Sequence, residues 1–410
     1  MFVIHNQEGQ KVPIKIWLAD ESRLESECLE QATNLARLPF LHKWVSLMPD
    51  THTGMGMPIG GVIATEGVII PNAVGVDIGC GMAFVQTDIP AELLKTETKS
   101  GTLLQCIIGD ILRNIPVGFA HHDKRQPCET AEQALKNPEN YLAAPELIPE
   151  IEDMVYQVGT LGGGNHFIEL QQDENGMVCI MLHSGSRHFG HKVCSLYDKT
   201  AKELNKKWFS SVPEESRLAF LPVDTAEGKA YINFMNLALA FAYENRNRMM
   251  DAVQQIFTRW CVKRLNQTPD YSNFINCHHN YAALEHHYGK NVWVHRKGAI
   301  RARIGDKGII PGAMGSFSYI VEGKGNEESF HSCSHGAGRL YSRTRAKQEY
   351  SVEQVMVDLA ESGVVLGKHS KNDVAEECRF AYKNIEEVMS NEADLVAPVK
   401  KMSTLGVVKG

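Results

Sequence analysis

No CxxC pair occurs among the ten cysteines of this 410-residue chain, which excludes a zinc ribbon and a thioredoxin-type redox motif. No stretch approaches the roughly 20 apolar residues of a membrane-spanning helix. The opening MFVIHNQEGQ is interrupted by Glu8, where an export signal would carry its apolar core. Free thiols in a reducing cytoplasm are therefore expected. A dominant positive charge is also absent. The formal net charge is -7, so any nucleic-acid surface must be local, and arginine and lysine concentrate at 295–303 (HRKGAIRAR) and 337–347 (AGRLYSRTRAK). Nor is there a GxxxxGK[ST] phosphate loop, a dinucleotide fingerprint, a GxSxG elbow or a lysine-centred KxDG motif. A nucleotide-handling enzyme built on this chain needs another nucleophile.

The chain shows no internal repeat, low-complexity tract or Pro/Ser-rich linker. Periodicity predicts a strand over 11–18 and a helix over 23–36. Residues 40–90 alternate glycine turns with β-branched runs such as GGVIA and GVIIP, the pattern of buried strands. Residues 91–157 read as more helical. Strands are expected at 165–171 and 178–183, a long helix over 223–265, glycine-rich strands at 291–338, and closing helices at 351–362 and 371–391. The candidate chemistry is dispersed over 77–80, 165–187, 276–280 and 331–339. It can converge only in one compact mixed α/β fold, which predicts a single catalytic domain over 1–410.

Asp77 and Cys80 lie in the run GVDIGCGM, where glycines keep the backbone thin enough to aim both side chains at one point. Oxygen and sulfur donors so close suit a transition ion better than magnesium or calcium. The alternative is a turn aspartate beside an inert buried thiol. In GGGNHFIE, three glycines precede Asn165, His166 and Glu169. Exposed N–H groups there can cradle phosphate, and His166 is either a ligand or a structural hydrogen-bonder. MLHSGSR places His183 at a strand end, followed by Arg187, a candidate phosphate grip or a solvated cation. In NCHHNY, adjacent histidines on a strand face opposite ways, so at most one of His278 and His279 joins a site. The pairs His121-His122 and His286-His287 have polar neighbours and are expected at the surface. SCSHGAGR presents His335 from a small-residue loop, as a nucleophile or as an incidental turn residue.

Taken together, VGVDIGCGM, LGGGNHFIE, MLHSGSR, NCHHNY, IIPGAMG, GNEESFHSCSHGAGR and the terminal GVVKG resemble the RtcB family of RNA ligases in its bacterial type. The motifs run in the family's order from about Met48 to the last residue. The resemblance implies a GTP- and manganese-dependent ligase that joins an RNA 3′-phosphate or 2′,3′-cyclic phosphate to a 5′-hydroxyl, in RNA repair or tRNA splicing. It implies Asp77, Cys80, His166, His183 and His279 as ligands of two manganese ions bridged by Cys80. His335 is then the nucleophile that takes GMP before passing it to the RNA 3′ end. Nucleotide contacts are implied at Asn165, His166, Phe167, Ile168 and Glu169, at His279 and Asn280, and at Pro311, Gly312, Ala313, Met314 and Ser318. Further contacts are implied at His335, Gly336, Ala337, Gly338, Tyr382 and Lys409, with Arg187 on RNA phosphate.

Cysteine and histidine donors alone would suggest zinc; manganese is implied by the resemblance only. Within PDTHTGMG, Thr51 stands where the family usually has valine, and Met55 where many members carry lysine or tyrosine, which bears on local RNA contacts. The competing function is a metal-dependent phosphoesterase that acts on RNA ends without joining them. It would have no need of His335 or the nucleotide loops.

Overall fold

Short β-branched runs between glycine turns become the strands Leu41–His52, Ile59–Thr65 and Gly81–Pro90, each largely buried. Near-continuous apolar runs of this kind belong in sheets covered on both faces. The computed structural model describes residues 1–6 and 9–410; Glu8 lies outside the described residues.

The architecture is mixed α/β and built on two large sheets. One orders Phe2–Ile4, Ile14–Ile16, Leu41–His52, Ile59–Thr65, Lys290–Lys297 and Asn280–His287. The other orders Tyr271–His278, Gly81–Pro90, Met177–Ser184, Phe167–Asp173, Val396–Lys409, Phe317–Gly323 and Lys307–Ile310, with Val365–Gly367 added alongside Val396–Lys409. Its central strands pair antiparallel, and their register sets the site. His183 stands opposite both Met82 and Phe167, Lys409 opposite Phe167, and His278 opposite Gly81. One end of this sheet therefore gathers Cys80, His166, His183 and His279 from four chain segments.

Beneath the sheet runs the helix Ala226–Leu265, 40 residues long and so about 60 Å. Thr225 caps it by accepting from the Gly228 N–H. Met249, Met250, Val253, Ile256 and Phe257 pack against Ile168, Leu170, Ile180 and Leu182 from the sheet. Burying such side chains contributes about 1.5–3 kcal/mol each. The helix is thereby pinned close under the strand ends that carry the site.

Several sequence expectations are corrected. The first strand is shortened to Ile14–Ile16, because the N–H groups of Lys11 and Val12 turn to the Ala36 carbonyl. The next helix begins at Ser26, after a 3-10 turn at Glu21–Arg23. The segment 371–391 is helical only at Ile385–Asn391. Before that, Glu377 is gripped by Arg339 and Lys409, and Cys378 and Tyr382 bridge to Met314 and Arg339, so the chain cannot coil. A helix over Arg187–Lys207, which the sequence reading does not include, follows the HSGS strand exit. The chain closes in the strand Val396–Lys409, not in helix. His287 is buried against Glu285 while its neighbour His286 faces solvent.

Candidate active site

Cys80 Sγ lies 3.4 Å from His166 Nε2 and 3.2 Å from His183 Nε2. His183 Nε2 lies 3.2 Å from His279 Nε2, and Asp77 Oδ2 is 3.0 Å from His166 Nε2. The five residues are thus brought into one cluster. Second contacts set the rings: His166 Nδ1 meets the Leu161 carbonyl at 2.9 Å, and His183 Nδ1 meets the Asn165 carbonyl at 3.1 Å. Donation from Nδ1 leaves Nε2 of both rings as a lone pair facing the thiol. Lone pairs packed this closely, with few protons between them, repel unless a cation lies among them. The donor atoms of Cys80, His166 and His183 all fall within 4.8 Å of one another. This set fits a divalent transition ion.

The electrostatics agree. Burial, followed by the neighbouring histidines, holds His183 and His279 far below the ordinary imidazole range, so both stay neutral and able to donate a lone pair. Burial and then the Asp77 carboxylate push the Cys80 thiol well up. A cation at the cluster would reverse the penalty on the thiolate.

Beside the cluster opens a pocket of about 650 Å³, within the range of small-molecule sites. Asn165, Phe167, Glu169, Pro311 to Met314, His335 to Gly338, Tyr382 and Lys409 line it. His335 Nδ1 lies 2.6 Å from Asp50 Oδ2, and the same oxygen accepts from the His335 backbone N–H at 3.1 Å. Asp50 is fully buried. Its carboxylate fixes Nδ1 as the protonated nitrogen and leaves Nε2 with a free lone pair. The His335 ring stands 4.7 Å, centroid to centroid, from His279. A side chain at Gly338 (φ +74) would overlap the Asp50 carbonyl, so glycine is required where this loop crosses the Asp50 strand.

Other predicted residues occupy different positions. Ile168 points into the opposite core, since strand alternation turns only Phe167 and Glu169 toward the pocket. Ser318 is buried behind the wall, where its hydroxyl meets Gly312 N–H and Gln171 Nε2. The Asn280 amide is engaged at both ends, donating to the Asp77 carbonyl and accepting from Gly298 N–H. His278 stays out of the cluster, its Nδ1 facing Arg246 at 2.9 Å. Arg187 opens its helix at φ +57 and donates to Thr160 Oγ1 and the Gly118 carbonyl. Thr51 is buried, its hydroxyl donating to the Ile59 carbonyl, so this departure cannot itself touch RNA. Much of the basic run 295–303 is structural as well. Arg296 is fully buried in a fork against Glu285, and Lys297 donates to the carbonyls of Met55 and Asn72.

Three groups escaped sequence reasoning. Asp50 was visible as a retained acid in PDTH without a role. Arg246 is fully buried and donates to the carbonyls of Gly79 and Ser184 and to Asn276 Oδ1. Glu377 accepts from Arg339, the Tyr382 hydroxyl and Lys409, and those cations hold it down to about 2 against the upward push of burial. Nothing in a single sequence distinguishes these from ordinary surface charges.

A thiol, imidazoles and a carboxylate converge beside a polar pocket, next to a histidine oriented by a buried acid, and this donor set is suited to metal-dependent catalysis. A family model described as "tRNA-splicing ligase RtcB" matches residues 31–410, and the chain belongs to this family. It is 37% identical over 416 residues to the "RNA-splicing ligase RtcB" of Escherichia coli K12, covering 98% of each chain. It is 31% identical to the "tRNA-splicing ligase RtcB" of Thermococcus kodakarensis, over 98% of this chain and 95% of that one. The "RNA-splicing ligase RtcB" of Mycobacterium tuberculosis is also 31% identical, over 93% of this chain and all of its own.

Proposed function

We propose that the protein is a GTP- and manganese-dependent RNA ligase that joins RNA 3′-phosphate or 2′,3′-cyclic phosphate ends to 5′-hydroxyl ends, in RNA repair or tRNA splicing. Residues 1–410 act as one catalytic unit. The observation that carries the reading is the Asp50–His335 pair at the pocket wall, 2.6 Å apart and beside the cluster. A metal-dependent phosphoesterase can act on an RNA end without a histidine nucleophile, whereas covalent transfer of GMP requires one.

Asp77, Cys80, His166, His183 and His279 would hold the divalent metal. Bound there, divalent ions neutralise phosphate charge and polarise phosphoryl oxygens. His335 Nε2 attacks the α-phosphorus of GTP; the N–P bond forms as the bond to pyrophosphate breaks. Asp50 keeps the Nδ1 proton in place and stabilises positive charge developing on the ring. The RNA 3′-phosphate then takes GMP from His335 and returns the lone pair to Nε2. Finally the 5′-hydroxyl attacks the activated 3′-phosphate and expels GMP.

Glu169 is buried, and burial raises its carboxyl to about 7 although Gln171 and Lys409 oppose this. A carboxylate at that depth suits the N–H edge of guanine. Tyr382 and Lys409 stand on the same wall. Arg187, whose Nε and Nη2 are held by Thr160 and Gly118, would have only Nη1 to offer an RNA phosphate. All ten cysteines are free, which supports a reducing, cytoplasmic setting. No helix among the described residues is long and apolar enough to cross a membrane.

The deciding experiment is incubation with α-labelled GTP and manganese, followed by denaturing electrophoresis. An acid-labile label on the wild type that is absent from His335→Ala is expected. No label, with bound metal and intact opening of cyclic phosphate, would favour the phosphoesterase instead.

A further inference from the structure

Phe119 is the most exposed large apolar side chain among the described residues, at 105% relative exposure. Its loop is not loose. Pro116 accepts from Leu161 N–H and Gly118 N–H donates to the Gly162 carbonyl. Ala120 N–H closes a turn on Val117, His122 N–H bonds Tyr156, and Gln126 N–H bonds Val155. A backbone held at both ends and at its apex therefore displays a phenyl ring to water, against its transfer preference. The neighbouring side chains are cationic. Lys124 and Arg125 are exposed and have no ion-pair partner among the described residues, while Asp123 is the loop's one carboxylate.

The loop also abuts the metal cluster. Arg187 donates to the Gly118 carbonyl and packs so closely on Gly162 (φ +93) that a side chain there would overlap it and press on His166 Nδ1. On the other flank, Arg343 approaches Gly164 and its side chain is half exposed. The glycine turn that leads into His166 thus meets Gly118, the residue before Phe119, at Gly162 and Gly163, and the Arg343 guanidinium at Gly164.

We propose that Phe119 is a stacking platform for a base near the reactive end of single-stranded RNA, with Lys124 and Arg125 holding the adjoining phosphates. This rests on the ligase reading and adds an RNA subsite to it. Aromatic faces accept any base, and backbone cations are indifferent to sequence, so the subsite orients an RNA end without selecting its sequence. A protein partner would more naturally be met by an apolar patch than by one ring among cations.

The test titrates wild type, Phe119→Ala, Phe119→Leu and Phe119→Trp with single-stranded RNA bearing a 3′-phosphate and a terminal 2-aminopurine. Joining kinetics and RNA-independent uptake of labelled GMP are measured in parallel. Expected for Ala and Leu are a roughly tenfold weaker RNA affinity, a matching rise in KM and loss of 2-aminopurine quenching, with GMP uptake unchanged; Trp restores all three. Replacing Lys124 and Arg125 by alanine lowers the slope of log K against log salt by about 0.7 per residue. Wild-type affinity and quenching in Phe119→Ala, or full rescue by Leu, would overturn the stacking role. A wild type that neither takes up GMP nor joins ends would instead remove the ligase reading, while the RNA titration still decides the fate of Phe119.

Discussion

At the scale of single residues, two buried acids near the His335 loop do opposite things. Asp50 fixes the His335 tautomer through its 2.6 Å contact. Asp50→Asn keeps the shape but can leave the wrong nitrogen protonated, and an analogous exchange in a catalytic triad costs about 10⁴ in rate. Labelled-GMP uptake should fall by roughly 10²–10⁴ with metal content unchanged. Glu392 accepts from both the backbone N–H and the hydroxyl of Ser334, and burial raises it to about 8. Its folded form therefore holds a proton that the unfolded chain, with a carboxyl near 4.3, gives up earlier. Across pH ~4.5 to ~8 the folded state binds more protons, so stability falls as pH rises. Glu392→Gln should flatten this fall and, above pH 8, exceed wild type in stability by about a few kcal/mol, seen as a higher thermal midpoint. Below pH 4 the two proteins should differ little in their pH dependence. Parallel pH–melting curves check this.

Among elements, the long helix Ala226–Leu265 is the clamp. Arg246 ties the turn before Cys80 to the end of the strand bearing His183 and to the strand leading into His279. The adjacent Asn245 joins the 159–160 loop to Ser184 and Gly185. Arg246→Ala removes the hydrogen bonds to the Gly79 and Ser184 carbonyls and to Asn276 Oδ1, and opens a cavity. Each lost hydrogen bond to the buried guanidinium costs about 1–3 kcal/mol. Calorimetry should show a loss of several kcal/mol, and elemental analysis a loss of bound metal. Normal metal content in a folded Arg246→Ala protein would contradict the clamp.

For the whole molecule, the cluster joins segments far apart in the chain, so a bound cation cross-links the fold. Manganese at a hundredfold excess over its dissociation constant should add about 2.7 kcal/mol, seen as a higher melting temperature that chelation reverses. Cys80→Ala should melt at one temperature with or without metal.

How much of this was legible in sequence follows from what is local. Glycine turns, β-branched runs and the long amphipathic stretch at 223–265 depend on neighbours along the chain, so their periodicity reported the strands and the helix directly. The short motifs left alternatives open at each position, and only their joint resemblance to the family singled out Cys80, His166, His183, His279 and His335 as candidates. Convergence was another matter. That the four ligand-bearing segments end at one sheet edge follows from strand register, and that Asp50 reaches His335 follows from pairing across 285 positions. Buried Arg296 and His287 were read as surface residues because burial is conferred by distant partners such as Glu285. The sequence by itself offered the candidate ligands and nucleophile and located most of the strands and the long helix. The tertiary structure alone decided which of them meet, because long-range packing and hydrogen bonding have no signature in local spacing.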